Sequence, residues 1–529
     1  MTLLEIESLD LDIHGTPILR DVSLTVAPGQ IVGVIGESGS GKSMTAFAVM
    51  QLLPNGTTCK GRVTLSGHDM LALPEARLCK LRGDEVGMVF QEPMTALNPI
   101  RTIGDQVAET ILIHEDVTKA EAMARAREAL NRVELPADRF PLTRYPHELS
   151  GGQRQRVVIA MAIALRPKLL IADEPTTALD VTTQAQILEL LKRLVREDGM
   201  GMLMITHDLA VVADMADEIV IMQHGRVVER GACPAIFSNL QHPYSKALLA
   251  ASSHIPDRAC RTTDAPLLEV NRVVRDYRLP RKTLFGAPVV IHAVKGVSFT
   301  LERGESLGLV GESGCGKSTL TRAILGLEEV QGGTIRLDGQ PVFDGHRVNR
   351  AVRRRMQVVF QDPYGSFNPR HRVERLVTEP FHLLETPPTG AARDRAVDEA
   401  LTSVGLTPAD KDKYIHEFSG GQRQRIAIAR ALIIKPDLII LDEAVSALDV
   451  QVRAQILDLL AELSAKFGLT YLFISHDLSV VRSITDRVLV MKSGEIVEQG
   501  PTTRVFDDPQ HPYTQQLIAA APRLPETAA

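Results

Sequence analysis

GESGSGKS at residues 36–43 and GESGCGKS at residues 311–318 are two copies of one glycine-rich stretch. The first copy directly follows the apolar run QIVGVI at residues 30–35, and the second is preceded by an apolar run in the same way. After a strand, the pattern GxxxxGK[ST] brings successive backbone N–H groups onto phosphate oxygens, and the following helix adds its positive N-terminal end. Both stretches therefore predict a phosphate-binding P-loop between a strand and a helix.

Two side chains of each loop have predicted roles. Lys42 and Lys317 are expected to reach the β- and γ-phosphates of ATP, and the hydroxyls of Ser43 and Ser318 are expected to ligate Mg²⁺. The alternative is a glycine-rich turn that binds no ligand. The recurrence of the full pattern after a strand in both copies disfavours this alternative. The predicted ATP-binding residues of the loops are Gly36, Glu37, Ser38, Gly39, Ser40, Gly41, Lys42 and Ser43, and Gly311, Glu312, Ser313, Gly314, Cys315, Gly316, Lys317 and Ser318.

The chain of 529 residues contains the same domain twice. Lys42 and Lys317 are 275 residues apart, and later landmarks such as Glu174 and Glu443 keep a constant separation of 269. The intervening stretch lacks apolar periodicity and its charges balance, which is typical of a short linker. We predict a first domain at residues 1–255, a linker at 256–266 and a second domain at 267–529.

Each copy shows the pattern of an α/β fold, because β-branched runs such as residues 30–35 and 168–173 alternate with helical stretches. Parallel core strands are implied. Two stretches that precede the motif SGGQ carry apolar residues at helical spacing, which predicts a separate helical subdomain. These residues are Ala126, Ala129, Leu130 and Val133 in the first copy and Val397, Ala400, Leu401 and Val404 in the second.

Acidic pairs end two further apolar runs, LLIADE at residues 169–174 and LIILDE at 438–443. Carboxylates at the carboxyl end of a parallel strand lie where ligands bind in α/β folds. Asp173 and Asp442 are expected to hold Mg²⁺, and Glu174 and Glu443 are expected to polarise the attacking water. An acidic pair can also simply cap the next helix, but its pairing with a P-loop in each copy favours catalysis.

His207 and His476 each follow the glutamate by 33 residues, after the apolar strands MLMIT and YLFIS. A lone histidine in such a place is usually structural. Its identical placement in both copies favours a hydrogen bond to the γ-phosphate or the attacking water, which would sense whether ATP is intact.

The overall composition argues for a globular protein and against several classes of partner. Hydrophobic residues make up 44% and charged residues 23% of the chain, and the net charge is −6 with a pI of about 6.2. No general basic surface for nucleic acid follows from this charge. The five cysteines form no CxxC pair, so neither a disulfide framework nor a zinc site is expected. The acidic N-terminus does not resemble a secretory signal, and the longest apolar runs are too short to span a membrane.

LSGGQRQR at residues 149–156 and FSGGQRQR at 418–425 make the chain resemble the ABC ATPases over nearly its whole length. The resemblance implies tandem domains, each with a RecA-like parallel-sheet core, an antiparallel β subdomain and an α-helical subdomain that carries the signature. It also implies that each ATP lies between one P-loop and the opposing signature, with Asp180 and Asp449 in the interface loops called D-loops. By the same resemblance, Gln91 and Gln361 contact Mg²⁺ and the membrane subunits. The implied signature residues that bind ATP are Ser150, Gly151, Gly152 and Gln153, and Ser419, Gly420, Gly421 and Gln422.

The tails QHPYSKALL at residues 241–249 and QHPYTQQLI at 510–518 resemble those of oligopeptide, dipeptide, nickel and glutathione importer ATPases. The fused format with short tails is similar to Yej-type importers of peptides such as microcin C. The resemblance implies a peripheral ATPase at the cytoplasmic face of the inner membrane, with ATP and Mg²⁺, two transmembrane permeases and an extracytoplasmic substrate-binding protein. Alternatives are a soluble twin-cassette ATPase that acts on ribosomes, a nickel or glutathione importer, and an exporter ATPase.

Three departures distinguish the copies. Tyr277 occupies the position of the aromatic residue that the family stacks on adenine, whereas the first copy has Ile13 there, followed by His14. This difference predicts weaker ATP binding at the first P-loop unless His14 replaces the aromatic ring. Ala444 and Val445 stand where the first copy has Pro175 and Thr176, and a changed backbone after Glu443 is expected to slow the second site. Cys315 replaces Ser40, in a loop where only the amide is required.

Overall fold

The computed structural model describes residues 2–177, 179–258, 263–278, 288–362, 365–446 and 448–525. Within these residues the chain folds into two halves that repeat one architecture. The predicted linker lies partly outside this range, as does Cys260. The last part of the predicted linker already belongs to a strand, because its pairing with the following strand starts at Thr263.

The first half consists of ten strands and nine α-helices within the described residues. The strands are β1 (Leu4–Ile13), β2 (Thr16–Val26), β3 (Ile31–Ile35), β4 (Thr57–Leu65), β5 (His68–Asp69), β6 (Val86–Val89), β7 (Leu169–Asp173), β8 (Gly201–Ile205), β9 (Glu218–Gln223) and β10 (Arg226–Ala232). The helices are α1 (Lys42–Met50), α2 (Glu75–Leu81), α3 (Pro93–Ala96), α4 (Ile103–His114), α5 (Lys119–Arg132), α6 (Gly151–Ile163), α7 (Val181–Asp198), α8 (Leu209–Met215) and α9 (Pro243–Ser252), with 3₁₀ turns at Pro146–Glu148 and Ala235–Ser238.

The second half repeats this order with an additional hairpin, again within the described residues. Its strands are β11 (Thr263–Arg278), β12 (Val290–Arg303), β13 (Ser306–Val310), β14 (Gly332–Leu337), β15 (Gln340–Pro341), β16 (Phe343–Asp344), β17 (Arg347–Val348), β18 (Met356–Val359), β19 (Leu438–Asp442), β20 (Thr470–Ile474), β21 (Arg487–Lys492) and β22 (Glu495–Pro501). Its helices are α10 (Lys317–Ile324), α11 (Arg350–Arg353), α12 (Val373–Val377), α13 (Gly390–Ser403), α14 (Gly420–Leu432), α15 (Val450–Phe467), α16 (Leu478–Ile484), α17 (Thr502–Asp507) and α18 (Pro512–Ala519), with 3₁₀ turns at Glu379–Leu383, Pro408–Asp412 and Ile415–Glu417.

The core of each half is a mostly parallel sheet, with the strand order β10-β9-β3-β8-β7-β6 in the first half and β18-β19-β20-β13-β21-β22 in the second. Only the edge strands β10 and β22 pair antiparallel to their neighbours. The central strands β3, β7 and β8 are buried at every residue and are apolar except for Asp173 at the end of β7, as expected for parallel strands that are covered on both faces. Their carboxyl ends meet at one edge, where the P-loops and acidic pairs lie.

Each half adds an antiparallel sheet, β2-β1-β4-β5 or β12-β11-β14-β15, and a helical subdomain. In the first half, Thr118 caps α5 through a capping box with Glu121, and the predicted apolar positions of this helix are buried against the helices around it. The prediction of a tandem α/β fold with parallel cores, antiparallel sheets and helical subdomains is confirmed. No helix in the described part of the chain combines the length and apolar character needed to cross a bilayer.

Candidate active site

The P-loop of each half runs from the end of the central strand to the start of a helix. Helix α1 begins at Lys42, and its N-cap Gly41 has φ 100°, a left-handed conformation that side chains disfavour. A Cβ at Gly41 would lie 2.5 Å from Leu19 Cδ2. Its counterpart Gly316 has φ 111° and leaves no space for a Cβ beside the backbone oxygen of Ala293. Glycine is therefore required immediately before both lysines.

Both P-loop lysines are folded back over their own loop. Lys42 Nζ donates to the carbonyl oxygens of Gly36 and Glu37 at 2.7 and 2.8 Å. Lys317 does the same with the first two residues of its loop, at 2.6 and 2.9 Å. Burial lowers the pKa of Lys42, although the nearby carboxylates oppose this effect. The structure thus holds each ammonium group inside the loop that is predicted to receive phosphate.

In the first half, the first acid of the pair lies beside the serine at the start of the P-loop helix. Asp173 Oδ1 accepts a hydrogen bond from Ser43 Oγ at 3.2 Å. Burial raises the pKa of Asp173 to about 6 despite this bond, and burial also raises the pKa of Asp442. Hydroxyl and carboxylate oxygens are the donors that Mg²⁺ prefers, and a cation would offset the cost of burying the charge. Ser43 and Asp173 therefore fit Mg²⁺, although the described residues form no cluster of three or more His, Cys, Asp or Glu side chains suited to a metal. The predicted third ligand, Gln91, instead donates its side-chain amide to Glu174 in this structure.

Glu174, the second acid of the first pair, is held by several groups at once. Its φ is 48°, in the left-handed region, and its N–H donates to the Ile205 carbonyl at 2.8 Å. Oε2 accepts from Gln91 Nε2 at 2.9 Å and from Thr177 Oγ1 at 2.8 Å, while Oε1 lies 3.2 Å from His207 Nδ1. Such backbone conformations of non-glycine residues concentrate at functional sites. The carboxylate is thus fixed in one orientation at the end of β7.

The Glu174 carboxylate and the His207 imidazole each favour the charged form of the other. Burial would raise the pKa of Glu174, but the hydrogen bond and charge of His207 and the hydroxyl of Thr177 lower it to about 2. Burial would likewise lower the pKa of His207, but the hydrogen bond and charge of Glu174 raise it. The sequence predicted both residues, and the structure places them in direct contact.

The second half arranges its counterparts more loosely. Glu443 has φ 52°, and His476 Nδ1 lies 3.3 Å from its Oε1. Ser446, in the place of Thr177, donates to the backbone carbonyl of Glu443 at 2.9 Å instead of to the carboxylate. Glu174 and Glu443 themselves share the left-handed backbone conformation, so the substitution of Pro175 by Ala444 leaves the glutamate's own φ unchanged.

A cavity of about 930 Å³ gathers the predicted residues of the second half. It is lined by Lys317, Ser318, Gln361, Asp442, Glu443 and His476, together with Asp180 of the first half. The described residues that line it include none of the first half's signature residues. The cavity therefore brings together the P-loop, acidic pair, glutamine and histidine of the second half with the D-loop aspartate of the first.

The signature residues lie at the exposed start of α6 and α14. Ser150 and Gln153 form a capping box, in which the serine hydroxyl accepts from the Gln153 N–H and the glutamine oxygen accepts from the Ser150 N–H. Ser419 and Gln422 repeat it. A Cβ at Gly152 would lie 2.2 Å from Thr183 Cγ2, so this glycine is needed for the approach of α6 to α7. Gly151 has more space, since its nearest neighbour would be 3.6 Å away.

The two halves contact each other through the D-loops. Asp449 Oδ1 accepts hydrogen bonds from the N–H and the hydroxyl of Ser38, at 2.8 and 3.1 Å. On the other side, Thr182 Oγ1 donates to Glu312 Oε1 at 2.9 Å, and Asp180 accepts from the backbone of Ser313. Each P-loop is therefore held by the D-loop region of the opposite half.

The tails also reach the P-loops, a contact that the sequence analysis missed. The hydroxyl of Tyr244 accepts a hydrogen bond from the N–H of Glu37, and Tyr513 accepts one from Glu312, both at 3.0 Å. The sequence signal for it was the recurrence of HPY at the same separation as the predicted catalytic residues.

The adenine-side residues differ as the sequence indicated. Tyr277 donates a hydrogen bond to Glu328, and the Arg275 guanidinium lies 4.8 Å from the centre of its ring. Ile13 instead ends β1 and packs against the apolar core of the first half. The neighbouring His14 turns its ring against Gly56.

Comparison with known proteins gives consistent results over the whole chain. A family model described as "ABC transporter" matches residues 19–177 and 294–446, and one described as "Oligopeptide/dipeptide transporter, C-terminal region" matches residues 228–268 and 497–529. The "Peptidoglycan transport ATP-binding protein YejF" of Agrobacterium fabrum is 47% identical, covering 98% of this chain and 96% of the relative. The "Glutathione import ATP-binding protein GsiA" of Escherichia coli K12 is 45% identical, covering 98% and 89%. A solved structure of cbiO1 from Clostridium perfringens is 31% identical over 46% of this chain and 92% of its own, with a TM-score of 0.41.

Proposed function

Because the chain belongs to the ABC transporter family of ATP-binding proteins, with an oligopeptide/dipeptide transporter C-terminal region after each ATP-binding region, we propose that it hydrolyses ATP to drive the import of peptides. The observation that carries the proposal is the presence of two complete sets of P-loop, acidic pair and histidine, each followed by the same tail. One relative is named for peptidoglycan transport and another for glutathione import. These names support a peptide or peptide-like cargo.

In the proposed mechanism, each P-loop binds the phosphates of ATP through its amides and its lysine. Mg²⁺ bound by Ser43, Gln91 and Asp173, or by Ser318, Gln361 and Asp442, would neutralise phosphate charge. Glu174 and Glu443 orient the attacking water and accept its proton, and the histidines hold these carboxylates in place.

Pairing of the halves around ATP requires the opposing signature to move onto the P-loop. Ser150 and Ser419 present a hydroxyl at a helix N-terminus, where backbone N–H groups and the helix dipole favour an anionic phosphate. The D-loop contacts already orient each half toward the other. Loss of the γ-phosphate would release the signature, which gives an order-and-release switch for partner subunits.

The partners proposed for this engine are two transmembrane permeases and an extracytoplasmic substrate-binding protein, with the chain bound peripherally at the inner face of the membrane. An affinity-tagged chain purified from its own membranes should bring down two permeases. Recovery of ribosomes in their place would support a soluble twin-cassette function and refute the transport proposal. Uptake of labelled peptides by cells with and without the gene then tests the cargo, with labelled glutathione and nickel as the competing cargoes.

The catalytic assignment is tested by replacing both glutamates. A Glu174→Gln, Glu443→Gln double variant should still bind ATP but lose turnover, since loss of a single general base typically costs about 10²–10⁴-fold in rate. Phosphate release and ATP binding are measured on the same purified protein. Retained turnover with normal ATP binding would show that other groups activate the water.

A further inference from the structure

The tail tyrosines are buried directly behind the P-loops. Tyr244 is 6% exposed and Tyr513 is 2% exposed, yet each hydroxyl accepts a hydrogen bond from a P-loop N–H at 3.0 Å. The residues they join, Glu37 and Glu312, are 207 and 201 positions away along the chain. The same long-range contact is therefore made independently in both halves.

The peptide group that each tyrosine holds also positions the catalytic lysine. The N–H of Glu37 and the carbonyl of Gly36 belong to one planar peptide unit. Tyr244 binds the N–H, while the carbonyl accepts from Lys42 Nζ at 2.7 Å. Rotation of this peptide plane would break both hydrogen bonds together. The tyrosine hydroxyl thus fixes the orientation of the peptide group that accepts the hydrogen bond from the lysine ammonium.

The rest of the tail motif holds the tyrosine in place. In the first half, the Glu229 carboxylate accepts from the N–H groups of Gln241 and His242 at 2.6 and 3.2 Å. His242 Nδ1 in turn accepts from the N–H of Tyr244 at 3.2 Å and caps α9. In the second half, Glu498 holds the corresponding pair of N–H groups at 2.8 and 3.0 Å. Every residue of the QHPY motif except the proline therefore has a contact that sets the position of the ring.

The tail helices also pack against the opposite half. Tyr244 and Leu248 share an apolar cluster with Val450, the first residue of α15. Tyr513 and Leu517 share another with Val181, the first residue of α7. Each P-loop consequently lies between its own tail and the opposing D-loop.

We propose that Tyr244 and Tyr513 are positioning residues for ATP binding, each of which holds the first peptide of its own P-loop in the orientation that seats the lysine. The proposal rests on the ATP site of the proposed function and adds a role for the tail within it. The tyrosines act through the loop and do not contact the phosphates themselves.

The test is a Tyr→Phe substitution at each tail, which removes the hydroxyl and keeps the ring. In a Lys317→Ala parent, which retains only the first ATP site, Tyr244→Phe should weaken ATP binding by about 3- to 10-fold, the effect of one ordinary hydrogen bond. In a Lys42→Ala parent, which retains only the second site, the same substitution should leave ATP affinity unchanged. Tyr513→Phe should show the reciprocal pattern. The rate per bound ATP should change by less than about twofold.

Tyr471→Phe is the matched control, because it removes another buried hydroxyl, one that donates to the Leu460 carbonyl at 3.0 Å away from the P-loops. Radiolabelled ATP is titrated against each purified full-length variant, and thermal unfolding is recorded on the same samples. Equal losses of ATP affinity in both parents, or an equal loss from Tyr471→Phe, would indicate a general structural effect and overturn the proposal. If the Lys317→Ala parent binds ATP and Tyr244→Phe leaves its affinity unchanged, the proposal for the tyrosine is overturned while the proposed function stands. A parent with an intact P-loop that binds no ATP would overturn the proposed function as well.

Discussion

Replacing Asp173 by asparagine should stabilise the metal-free protein while it disables catalysis. The Asp173 side chain is almost entirely buried, with a residue exposure of 4%, and its Ser43 hydrogen bond does not offset the cost of burying the charge. Burial raises the pKa of its carboxyl from 3.8 to about 6. An asparagine can still accept from Ser43 but carries no charge. The variant therefore removes only the free-energy cost of burying a carboxylate charge that no cation neutralises.

The pH dependence of this effect follows from the direction of the pKa change. An acid whose pKa is raised in the folded state binds its proton more tightly in the folded than in the unfolded protein. Its contribution to the free energy of unfolding is therefore fully present below pH 3.8 and is lost as the pH rises through about 6. The difference between 3.8 and about 6, at about 1.36 kcal/mol per pH unit, amounts to about 3 kcal/mol. Asp173→Asn should recover this amount at pH 8 and less than about 1 kcal/mol at pH 4.

Scanning calorimetry in chelator-treated buffer measures the prediction, because the two halves can unfold in separate transitions. For a domain of this size, about 3 kcal/mol corresponds to a rise of about 6–12 °C in the midpoint of the first half's transition. Asp180→Asn serves as a control of opposite sign, since hydrogen bonds to Asp180 outweigh its burial and lower its pKa. A stability gain for Asp173→Asn that is equal at pH 4 and pH 8, or a loss at pH 8, would refute the reasoning.

Two further sets of substitutions test the site directly. Gly152→Ala should lower the free energy of unfolding by about 1–3 kcal/mol in a denaturation curve, because its Cβ would lie 2.2 Å from Thr183 Cγ2. A second substitution, Thr183→Ser, removes that methyl group and should restore the stability. Gly151→Ala is the control and should leave stability nearly unchanged. Exchanging the adenine-side residues should move ATP affinity in opposite directions at the two sites: Tyr277→Ala should weaken the second site by up to about 100-fold and Ile13→Tyr should strengthen the first, since one stacked base contributes about 1–3 kcal/mol. Titration of nucleotide into proteins with a single intact P-loop measures both, and equal affinities throughout would contradict the stacking argument.

The sequence was sufficient to predict features that depend on short stretches of chain. The P-loop glycines, the acidic pairs at strand ends and the spacing of apolar residues in α5 and α13 reflect local geometry, which repeats in both halves. The left-handed backbone of Glu174 has no such sequence signal. It follows from the hydrogen bond of its N–H to Ile205, on the neighbouring strand.

Contacts between distant segments were harder to predict. The D-loop aspartates were expected at the interface, but their binding to the N–H and hydroxyl of Ser38 depends on how two separately folded halves meet. The hydroxyl of Tyr244 reaches the P-loop because β10 and the tail bring it there, and neither hydropathy nor spacing encodes that path. The recurrence of the HPY motif after each ATP-binding region was the available sequence signal. The contact that the motif makes is visible only in the folded structure.

The two proposed ATP sites differ in how the glutamate after the core strand is held. In the first half, Gln91, Thr177 and His207 all bind the carboxylate of Glu174, the proposed general base. In the second, the Ser446 hydroxyl binds the backbone of Glu443 and leaves the carboxylate oxygens for other partners. A carboxylate that accepts fewer hydrogen bonds has fewer of them to break before it can bind the attacking water. Less reorganisation is then needed for it to act as a base. This difference favours faster turnover at the second site, the reverse of what the Ala444 substitution suggested. The aromatic ring of Tyr277 adds to ATP binding there and not to the chemical step.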